Sequence, residues 1–398
     1  MSSFFKPGNN GVRRILWMAL LTLILAPGCS GGGEVSRTEV ERVLKASWRS
    51  YVRHYISAEG RVVIPERSGE SISEGQAYAL LRALWANDPA TFQRVYIWTC
   101  KNLSRSKSQG DALLAWRWGR DKDGAEKVLD GNTATDGDLD YALALTLAAA
   151  RGWRPRPELP DYAAAARRVL AGIMTLETVK LPNGELLLTP GNWHESHPPY
   201  LVNPSYFSPA AYHLFAKIQP QAGWERLRDS TYDLLTRLGQ GLGPHKGVGL
   251  FPDLCQVDAQ GLTGPAPGRD THFGWEAVRL PWRLALDSLW FREERATRLM
   301  TQHFLQFFKK EWQARGRLAA QYSYDGEPLV NYESPVLYAG VLAAALATGD
   351  QDFSRQMAEK ILSFYREEGD QAYFVSPDNY YANNWAWLGL ALYAGWVK

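Results

Sequence analysis

Three carboxylates fall within five residues of the chain, in the stretch ATDGDLDYALALTLA, residues 134–148. Asp136, Asp138 and Asp140 stand before an apolar run of alanine and leucine, a pattern typical of a buried helix. Thr135 and Asp138 have the spacing of a capping pair, and acids in a first turn suit the helix dipole. Asp136 and Asp140 lie four residues apart and would repel each other on one helical face. A site that binds hydroxyl groups or a developing cation would use such a pair, whereas a helix start alone would not.

A glutamate occupies a similar position in SISEGQAY, residues 71–78. Ser71 with Glu74, and Ser73 with Gln76, both fit a capping box at the start of a helix. Capping accounts for one of these two side chains. The other is available for chemistry, and a positioned glutamate is a common general acid or base.

A second glutamate, Glu276, lies in FGWEAVRLPWRLALD with Arg279 three residues further on. This spacing fits an ion pair on one helical face, with Arg283 one turn beyond. Pro281 lies inside the helical pattern and predicts a kink or a local break there.

These motifs belong to a chain that reads as helix after helix. The stretch RTEVERVLKASWRSYVRHYI has apolar residues at the i, i+3, i+4 and i+7 spacing of an amphipathic helix. Convincing strand alternation is scarce, and ELLLT, residues 185–189, is the best candidate. The pattern predicts about twelve helices, the others beginning near Ser73, Pro89, Asp136, Pro160, Ser208, Ala222, His272, Arg292, Ser334, Asp352 and Tyr380.

The polar and aromatic motifs stand at the start of every second helix. Helix hairpins that alternate in this way can close into a barrel of six inner and six outer helices, an all-α (α/α)6 barrel. The N-termini of the inner helices would then meet at one end of the barrel. Free N–H groups and helix dipoles would gather there, and so would the function.

The N-terminal region predicts export rather than fold. Basic residues precede the apolar run at 15–26, which has the length of the hydrophobic region of a signal peptide and is short for a membrane span. The following APGCSGGG resembles a bacterial lipoprotein signal, with Cys29 as the lipidated residue. We therefore expect a signal peptide at 1–28, a flexible linker at 29–36 and one domain at 37–398. The product would be a periplasmic or outer-membrane-anchored lipoprotein, or an extracellular protein if the signal is an ordinary secretory one.

Composition excludes some partners and leaves others open. The net charge of +2 and the lack of like-charge blocks argue against nucleic acid. The 16 Trp, 19 Tyr and 14 Phe could fill a large helical core or line a groove that stacks sugar rings. Cys100 and Cys255 could pair in an oxidising compartment or remain buried thiols. No Cys/His spacing resembles a zinc site, and no metal or organic cofactor is expected.

Together the motifs resemble glycoside hydrolase family 8, which contains bacterial endoglucanases, chitosanases and xylanases. The resemblance covers roughly residues 40–397 and implies a six-hairpin α/α barrel with an inverting mechanism. The motifs that carry it, in the order of the family, are SEGQAY, ATDGDLD, NPSYFSPAAY, GLFPDLC and RLPWRLALD.

The resemblance also implies roles. Glu74 matches the acid, and Asp136 matches the residue that holds the sugar at the scissile bond. Tyr206 and Arg279 match residues that position the water and the base. Either Trp116 or Trp118 resembles a platform for a sugar ring, and Asp138 or Asp140 would cap the helix or brace the site.

One departure concerns the base. The endoglucanases carry an aspartate three residues before the arginine, where this chain has Glu276. A glutamate carboxylate reaches about one bond further, which would crowd or shift the water. Asp270, Asp287 and Glu333 are alternative bases.

The sequence therefore predicts an endo-acting β-1,4-glucanase whose partner is a β-linked polysaccharide. Chitosan and xylan remain alternative substrates. A glycan-binding or export accessory protein with lost catalysis is the rival from another class, and a polysaccharide lyase would require more basic motifs. The cellulose-synthesis machinery is a further expected partner, and the lipid anchor is the expected contact with the membrane.

Overall fold

Helices make up most of the described part of the chain, which comprises residues 36–269 and 271–398 of the computed structural model. A π-helical turn, Met300–Leu305, joins the segments Glu294–Leu299 and Gln306–Arg315 into one continuous helix. Twelve helices result within this part, as predicted. The segments are α1 (Arg37–Tyr55), α2 (Ser73–Trp85), α3 (Pro89–Asn102), α4 (Thr135–Ala150), α5 (Tyr162–Leu176), α6 (Pro209–Ile218), α7 (Trp224–Gln240), α8 (Leu280–Phe291), α9 (Glu294–Leu299), α10 (Gln306–Arg315), α11 (Pro335–Ala347), α12 (Gln351–Ser363) and α13 (Tyr380–Tyr393).

Six of these helices form a closed inner ring. Helices α2, α4, α6, α8, α11 and α13 each contact the next, and α13 contacts α2. An outer helix packs on each of them: α3 on α2, α5 on α4, α7 on α6, α9 on α8, α12 on α11 and α1 on α13. The predicted (α/α)6 barrel is therefore confirmed.

Burial follows the same division. Nearly every residue of α11 and α13 is buried, whereas α7 buries one face and exposes charged residues on the other. A helix that is apolar all round must be covered on all sides, and this explains why inner and outer helices differ in sequence. Eight of the tryptophans in the described residues are core residues, namely Trp48, Trp85, Trp98, Trp118, Trp224, Trp282, Trp385 and Trp387.

Ten short strands lie in the connections between the described helices, where the sequence predicted one. They form four small antiparallel sheets, and the strand Leu186–Leu188 coincides with the predicted strand. Strands of two to five residues are too short to give a readable alternation. The sheets are β1 (Ser71–Ile72), β2 (Arg117–Arg120) and β3 (Glu126–Asp130); β4 (Thr178–Lys180) and β5 (Leu186–Leu188); β6 (Tyr200–Val202), β7 (Cys255–Val257) and β8 (Thr263–Pro265); and β9 (Tyr365–Glu368) with β10 (Gln371–Phe374).

The eighth predicted helix starts later than expected. A 3₁₀ turn, Ala277–Arg279, precedes α8, and Pro281 lies in the first turn of α8. Proline is favoured there because the first helical N–H groups have no intrahelical acceptor. Of the predicted kink or local break, the structure shows the second, because the 3₁₀ turn ends and α8 begins just before Pro281.

Cys100 and Cys255 are both free thiols, the first half-buried and the second buried, so the structure shows them unpaired. Among the described helices, none combines the length and the apolar character that crossing a bilayer would require. The expected signal peptide and Cys29 lie outside the described residues.

Candidate active site

A cavity of about 690 Å³ opens where the inner helices begin. The carboxyl groups of Glu74, Asp136 and Glu276 line it together with Tyr206. Aromatic side chains make up much of the remaining wall, namely Trp116, Trp275, Tyr332, Tyr380 and Tyr381. The structure thus brings together the three predicted catalytic carboxyls, which lie up to 202 positions apart in the sequence.

The start of α4 lies unusually close to the start of α2. A Cβ atom at Gly137 would lie 2.4 Å from Ser73 Oγ and 3.0 Å from the backbone nitrogen of Glu74. Only glycine fits this approach without a shift of the backbone. It sets Asp136 beside Glu74 at the end of the cavity.

Arg279 is the centre of the carboxyl cluster. Its guanidinium is buried, and Nη1 donates to Glu74 Oε2 at 2.9 Å and to Asp136 Oδ2 at 2.8 Å. Nη2 donates to Glu276 Oε2, and the ring of Tyr206 lies 5.2 Å from the guanidinium carbon. One cation therefore fixes three acids from three elements, and the delocalised planar group of arginine suits this geometry.

Two further residues hold Glu276 in place. Asn203 Nδ2 donates to Glu276 Oε2 at 2.7 Å. Asp253 Oδ1 accepts from the backbone nitrogens of Gly274 at 2.9 Å and Ala277 at 2.7 Å, on either side of Glu276. The sequence motifs contained Asn203 and Asp253, but neither had a spacing that revealed its role.

Asp138 and Asp140 brace the site and do not cap α4. The capping position is Ala134, and its side chain accepts no hydrogen bond. Asp140 binds Arg283 through two hydrogen bonds, of 2.7 and 2.9 Å, and both side chains are buried. Asp138 Oδ1 accepts from the backbone nitrogen of Leu114 at 2.9 Å.

The capping boxes predicted around Glu74 are also absent from the structure. Ser71 donates to the backbone oxygen of Val62 at 2.6 Å, and Gln76 binds the backbone of the same residue. Glu74 is therefore not used as a cap, and its carboxyl group faces the cavity.

The charges of the site favour one retained proton. Four acids, Glu74, Asp136, Glu276 and Asp140, face two arginines, so a fully ionised cluster would carry excess negative charge. Burial, and next the charge of Asp136, raise the pKa of Glu74 to about 8, although Arg279 opposes this shift. Burial also raises the pKa of Asp136, with Arg279 again acting in the opposite direction. Glu74 is thus the carboxyl most suited to hold a proton at neutral pH.

The two tryptophans predicted as sugar platforms lie in different surroundings. Trp116 is half-buried and lines the cavity, with the guanidinium carbons of Arg67 and Arg117 at 5.5 and 5.9 Å from its ring centroid. Trp118 does not line the cavity, which corrects its prediction as a possible sugar platform. It is buried against Trp98, with ring centroids 5.2 Å apart. Trp116 precedes strand β2, and the register of β2 against β3 shifts between Arg117 and Trp118. This irregularity breaks the alternation by which residues two positions apart share a face, so the two tryptophans point in different directions.

The residues predicted as alternative bases differ in whether they line the cavity. Glu333 lines the cavity, but Lys360 Nζ donates to it at 2.8 Å and Tyr338 donates to the same oxygen. Asp287 is not among the residues that line the cavity, because it lies in the last turns of α8, where Tyr232 donates to it at 2.5 Å. Asp270 lies outside the described residues.

One group among the described residues has the composition of a metal site. Ligand atoms of His213, Asp287 and Glu293 lie within 4.8 Å of one another. Arg295 Nη2 donates to Glu293 Oε2 at 2.9 Å, and Arg228 Nη1 lies 3.0 Å from His213 Nδ1. These two guanidinium groups already supply the positive charge that a metal ion would bring.

Replacing Trp116 with alanine is expected to weaken substrate binding. Loss of one stacking face costs about 1.4 kcal/mol, which raises KM about tenfold and leaves the melting temperature nearly unchanged. Initial-rate kinetics and thermal unfolding measure both quantities. Trp118→Phe is the matched control, and it should change stability without changing KM. A Trp116→Ala variant with a lower melting temperature and an unchanged KM would show that the sugar platform is elsewhere.

Comparisons with known proteins agree with this site. A family model described as glycosyl hydrolases family 8 matches residues 35–383. "Endoglucanase A" of Acetivibrio thermocellus is 27% identical over 367 residues, which are 90% of this chain and 70% of that protein. The "Endoglucanase" of Pseudomonas fluorescens is 37% identical over 191 residues, 47% of this chain and 46% of its own length. The chain thus spans about half of this second relative.

Solved structures share the fold. The endo-1,4-D-glucanase from Vibrio fischeri ES114 has a TM-score of 0.69 at 24% identity, covering 87% of this chain and 94% of that one. The beta-1,3-1,4-glucanase from Paenibacillus sp.X4 has a TM-score of 0.74 at 20% identity, covering 91% and 93%. At these identities the likeness concerns the barrel and not the substrate.

Proposed function

Because the chain belongs to glycosyl hydrolases family 8, we propose that it is an inverting endo-β-1,4-glucanase with Glu74 as general acid and Glu276 as general base. It is a glycoside hydrolase by family, and two of its relatives are named endoglucanases. The observation that carries the proposed roles is the sharing of one buried guanidinium, that of Arg279, by Glu74, Asp136 and Glu276.

Inversion requires two carboxyl groups on opposite sides of the scissile bond, with room for a water beside the base. Glu74 and Glu276 bind different terminal nitrogens of Arg279, which keeps their carboxyl groups apart. Glu74 retains a proton near neutral pH and can donate it to the leaving oxygen. Glu276 accepts hydrogen bonds from Asn203 and Arg279, so its carboxylate is oriented to take a proton from water.

Asp136 is proposed to hold the sugar between these two groups. It is almost fully buried, and its negative charge faces the position where an oxocarbenium-like transition state would develop positive charge. Tyr206 lies against Arg279 and completes the wall from which the water would be positioned.

Glu276 should act as the base despite its extra methylene. Glu276→Gln is expected to lower kcat/KM by about 10²-fold, because a positioned base supplies at least that factor. Glu276→Asp should keep roughly a tenth of the activity or more, since it retains the carboxylate at a shorter reach. Reducing-end release measures both. An active Glu276→Gln variant would move the base elsewhere, with Glu333 as the next residue to replace.

The substrate is tested on carboxymethyl cellulose, with xylan and chitosan as comparison polymers. We expect the fastest reducing-end release from carboxymethyl cellulose, with a rapid fall in viscosity as the mark of internal cleavage. Proton NMR of the first products should show the α-anomer, as inversion of a β-linkage requires. Binding of glucan without turnover of any of the three polymers would contradict the enzymatic function and favour a binding module.

Export and anchoring are part of the proposal. The basic start, the apolar run and Cys29 support a lipoprotein that carries the barrel outside the cytoplasm. A protein in that location would meet polysaccharide during synthesis or degradation, and the cellulose-synthesis machinery is the proposed partner. Labelling with a radioactive fatty acid should be lost in Cys29→Ala. An unlabelled wild-type protein would favour an ordinary secretory signal.

A further inference from the structure

A second pair of acids lies beneath the cavity, outside the group that contacts Arg279. The side chains of Asp138, in the first turn of α4, and Glu177, at the end of α5, are fully buried. The two carboxyl groups are within hydrogen-bonding reach of each other. Asp138 Oδ2 and Glu177 Oε2 are both buried and receive no hydrogen bond from an N–H or O–H group of the described residues. Two such oxygens can satisfy each other only if one of them carries a proton.

The other oxygen of each carboxyl group is bound to a loop of the site. Asp138 Oδ1 accepts from the backbone nitrogen of Leu114, two residues before Trp116. Glu177 Oε1 accepts from Thr133 Oγ1 at 2.5 Å, three residues before Asp136. The pair therefore connects the loop that carries the proposed sugar platform to the segment at Thr133 that leads into α4 and Asp136.

The segments that contain Trp116 and Asn132 are also hydrogen-bonded to each other, beside the proposed general acid, Glu74. The backbone nitrogen of Ser73 donates to the oxygen of Trp116 at 3.0 Å, and Trp116 donates to Asn132 at 2.8 Å. Ser73 directly precedes Glu74. A shift in the carboxyl pair would be transmitted through these hydrogen bonds to Trp116, Asp136 and Glu74.

Within the described residues, no free cation neutralises the pair. Arg105 is the charged group that favours ionisation of Asp138, and its guanidinium is bound to Asp111 at 2.9 Å and to the backbone oxygen of Gly131 at 2.6 Å. Asp136 faces Glu177 from the side of α4 and adds negative charge. Two ionised carboxylates in contact here would repel each other in a medium of low dielectric. Burial raises the pKa of both acids, that of Glu177 to about 7.

We propose that Asp138 and Glu177 share one proton, and that this protonated pair is the positioning element that holds Asp136 and Trp116 at the cavity. The functional part of the inference rests on the proposed glucanase activity, whereas the shared proton does not. Asp138 is the proton's natural holder, because Oδ2 can donate to Glu177 while Oδ1 accepts from Leu114. An asparagine can reproduce both bonds without a titrating group.

Asp138→Asn is therefore the conservative variant, and Asp138→Leu is its matched control of similar size without either bond. Asp138→Asn should keep kcat within about threefold of wild type at pH 6, whereas Asp138→Leu should lose about 10²-fold, the effect of a misplaced site. Equal losses in the two variants would overturn the positioning role.

The proton itself is tested in a Glu74→Gln background, which removes the proposed general acid, whose pKa is also raised. The infrared difference spectrum between Glu74→Gln and Glu74→Gln/Asp138→Asn at pH 7 should contain the carbonyl stretch of one protonated carboxylic acid. Its absence would overturn the shared proton. This measurement needs no substrate, so it stands even if the proposed glucanase activity fails.

Unfolding at two pH values provides a second readout in the same background. A group with a raised folded-state pKa stabilises the fold at low pH, and this contribution is lost as the pH rises through that pKa. The parent should lose more stability between pH 5 and pH 9 than the Asp138→Asn variant does. Parallel losses in urea titrations would contradict the proposal.

Discussion

Replacing Glu74 with glutamine is expected to lower kcat for glucan hydrolysis by about 10²–10⁴-fold, the range that a positioned general acid commonly supplies. The amide keeps the size of the side chain and its contact with Arg279, but it cannot donate a proton and take it back. Initial rates on carboxymethyl cellulose measure the effect. Glu66→Gln is the matched control, because Glu66 lines the same cavity and has no part in the proposed chemistry. A Glu74→Gln variant as active as this control would place the acid elsewhere.

The pH dependence of wild type should report the same group. Because burial raises the pKa of Glu74 to about 8, kcat/KM should fall as the pH rises through about 8 and the acid loses its proton. Stability should respond in the same direction. A carboxyl with a raised folded-state pKa contributes stability that is complete below its unfolded pKa and is lost as the pH rises through about 8. Glu74→Gln should therefore lose less stability than wild type between pH 5 and pH 9.

Replacing Arg279 with glutamine should damage both activity and stability. The guanidinium is buried and is the shared partner of three carboxyl groups, so its removal leaves their charge uncompensated. Breaking a buried pair by removing one partner costs about 3–5 kcal/mol. Activity should fall by at least about 10²-fold, since the acid and the base both lose their orientation. Urea unfolding and reducing-end release measure the two effects.

The destabilisation should also grow with pH. Without Arg279 the three carboxyls favour their neutral forms more strongly, and ionising them at pH 8 then costs more than at pH 5. Arg279→Lys keeps the charge but lacks the planar fork that reaches three acids. It should recover stability more than activity. Full activity in Arg279→Lys would show that charge alone organises the site.

The sequence by itself determined the helical class and the barrel. Helical periodicity is local, and the position of the motifs before every second helix distinguishes inner helices from outer ones. The motifs that contain Glu74, Asp136 and Arg279 also indicated the family, which the match over residues 35–383 confirms. The N-terminal signal and Cys29 remain predictions.

Local patterns failed where one residue type serves two purposes. A serine or an acid at the start of a helix looks like a cap whether or not it caps, and so Glu74, Asp138 and Asp140 were ambiguous. Pro281 could equally break a helix or begin one. For the three acids the choice depends on contacts with segments more than twenty residues away, such as Leu114 for Asp138 and Arg283 for Asp140.

Tertiary structure alone decided which side chains meet. It placed Trp116 in the cavity and Trp118 in the core, because a register shift between Arg117 and Trp118 breaks the alternation by which residues two positions apart share a face. It also brought Asn203 and Asp253 to the base, and Glu177 to Asp138. Sequence spacing carries no information on such meetings, because the free energy that fixes them comes from burial and hydrogen bonds between separate elements.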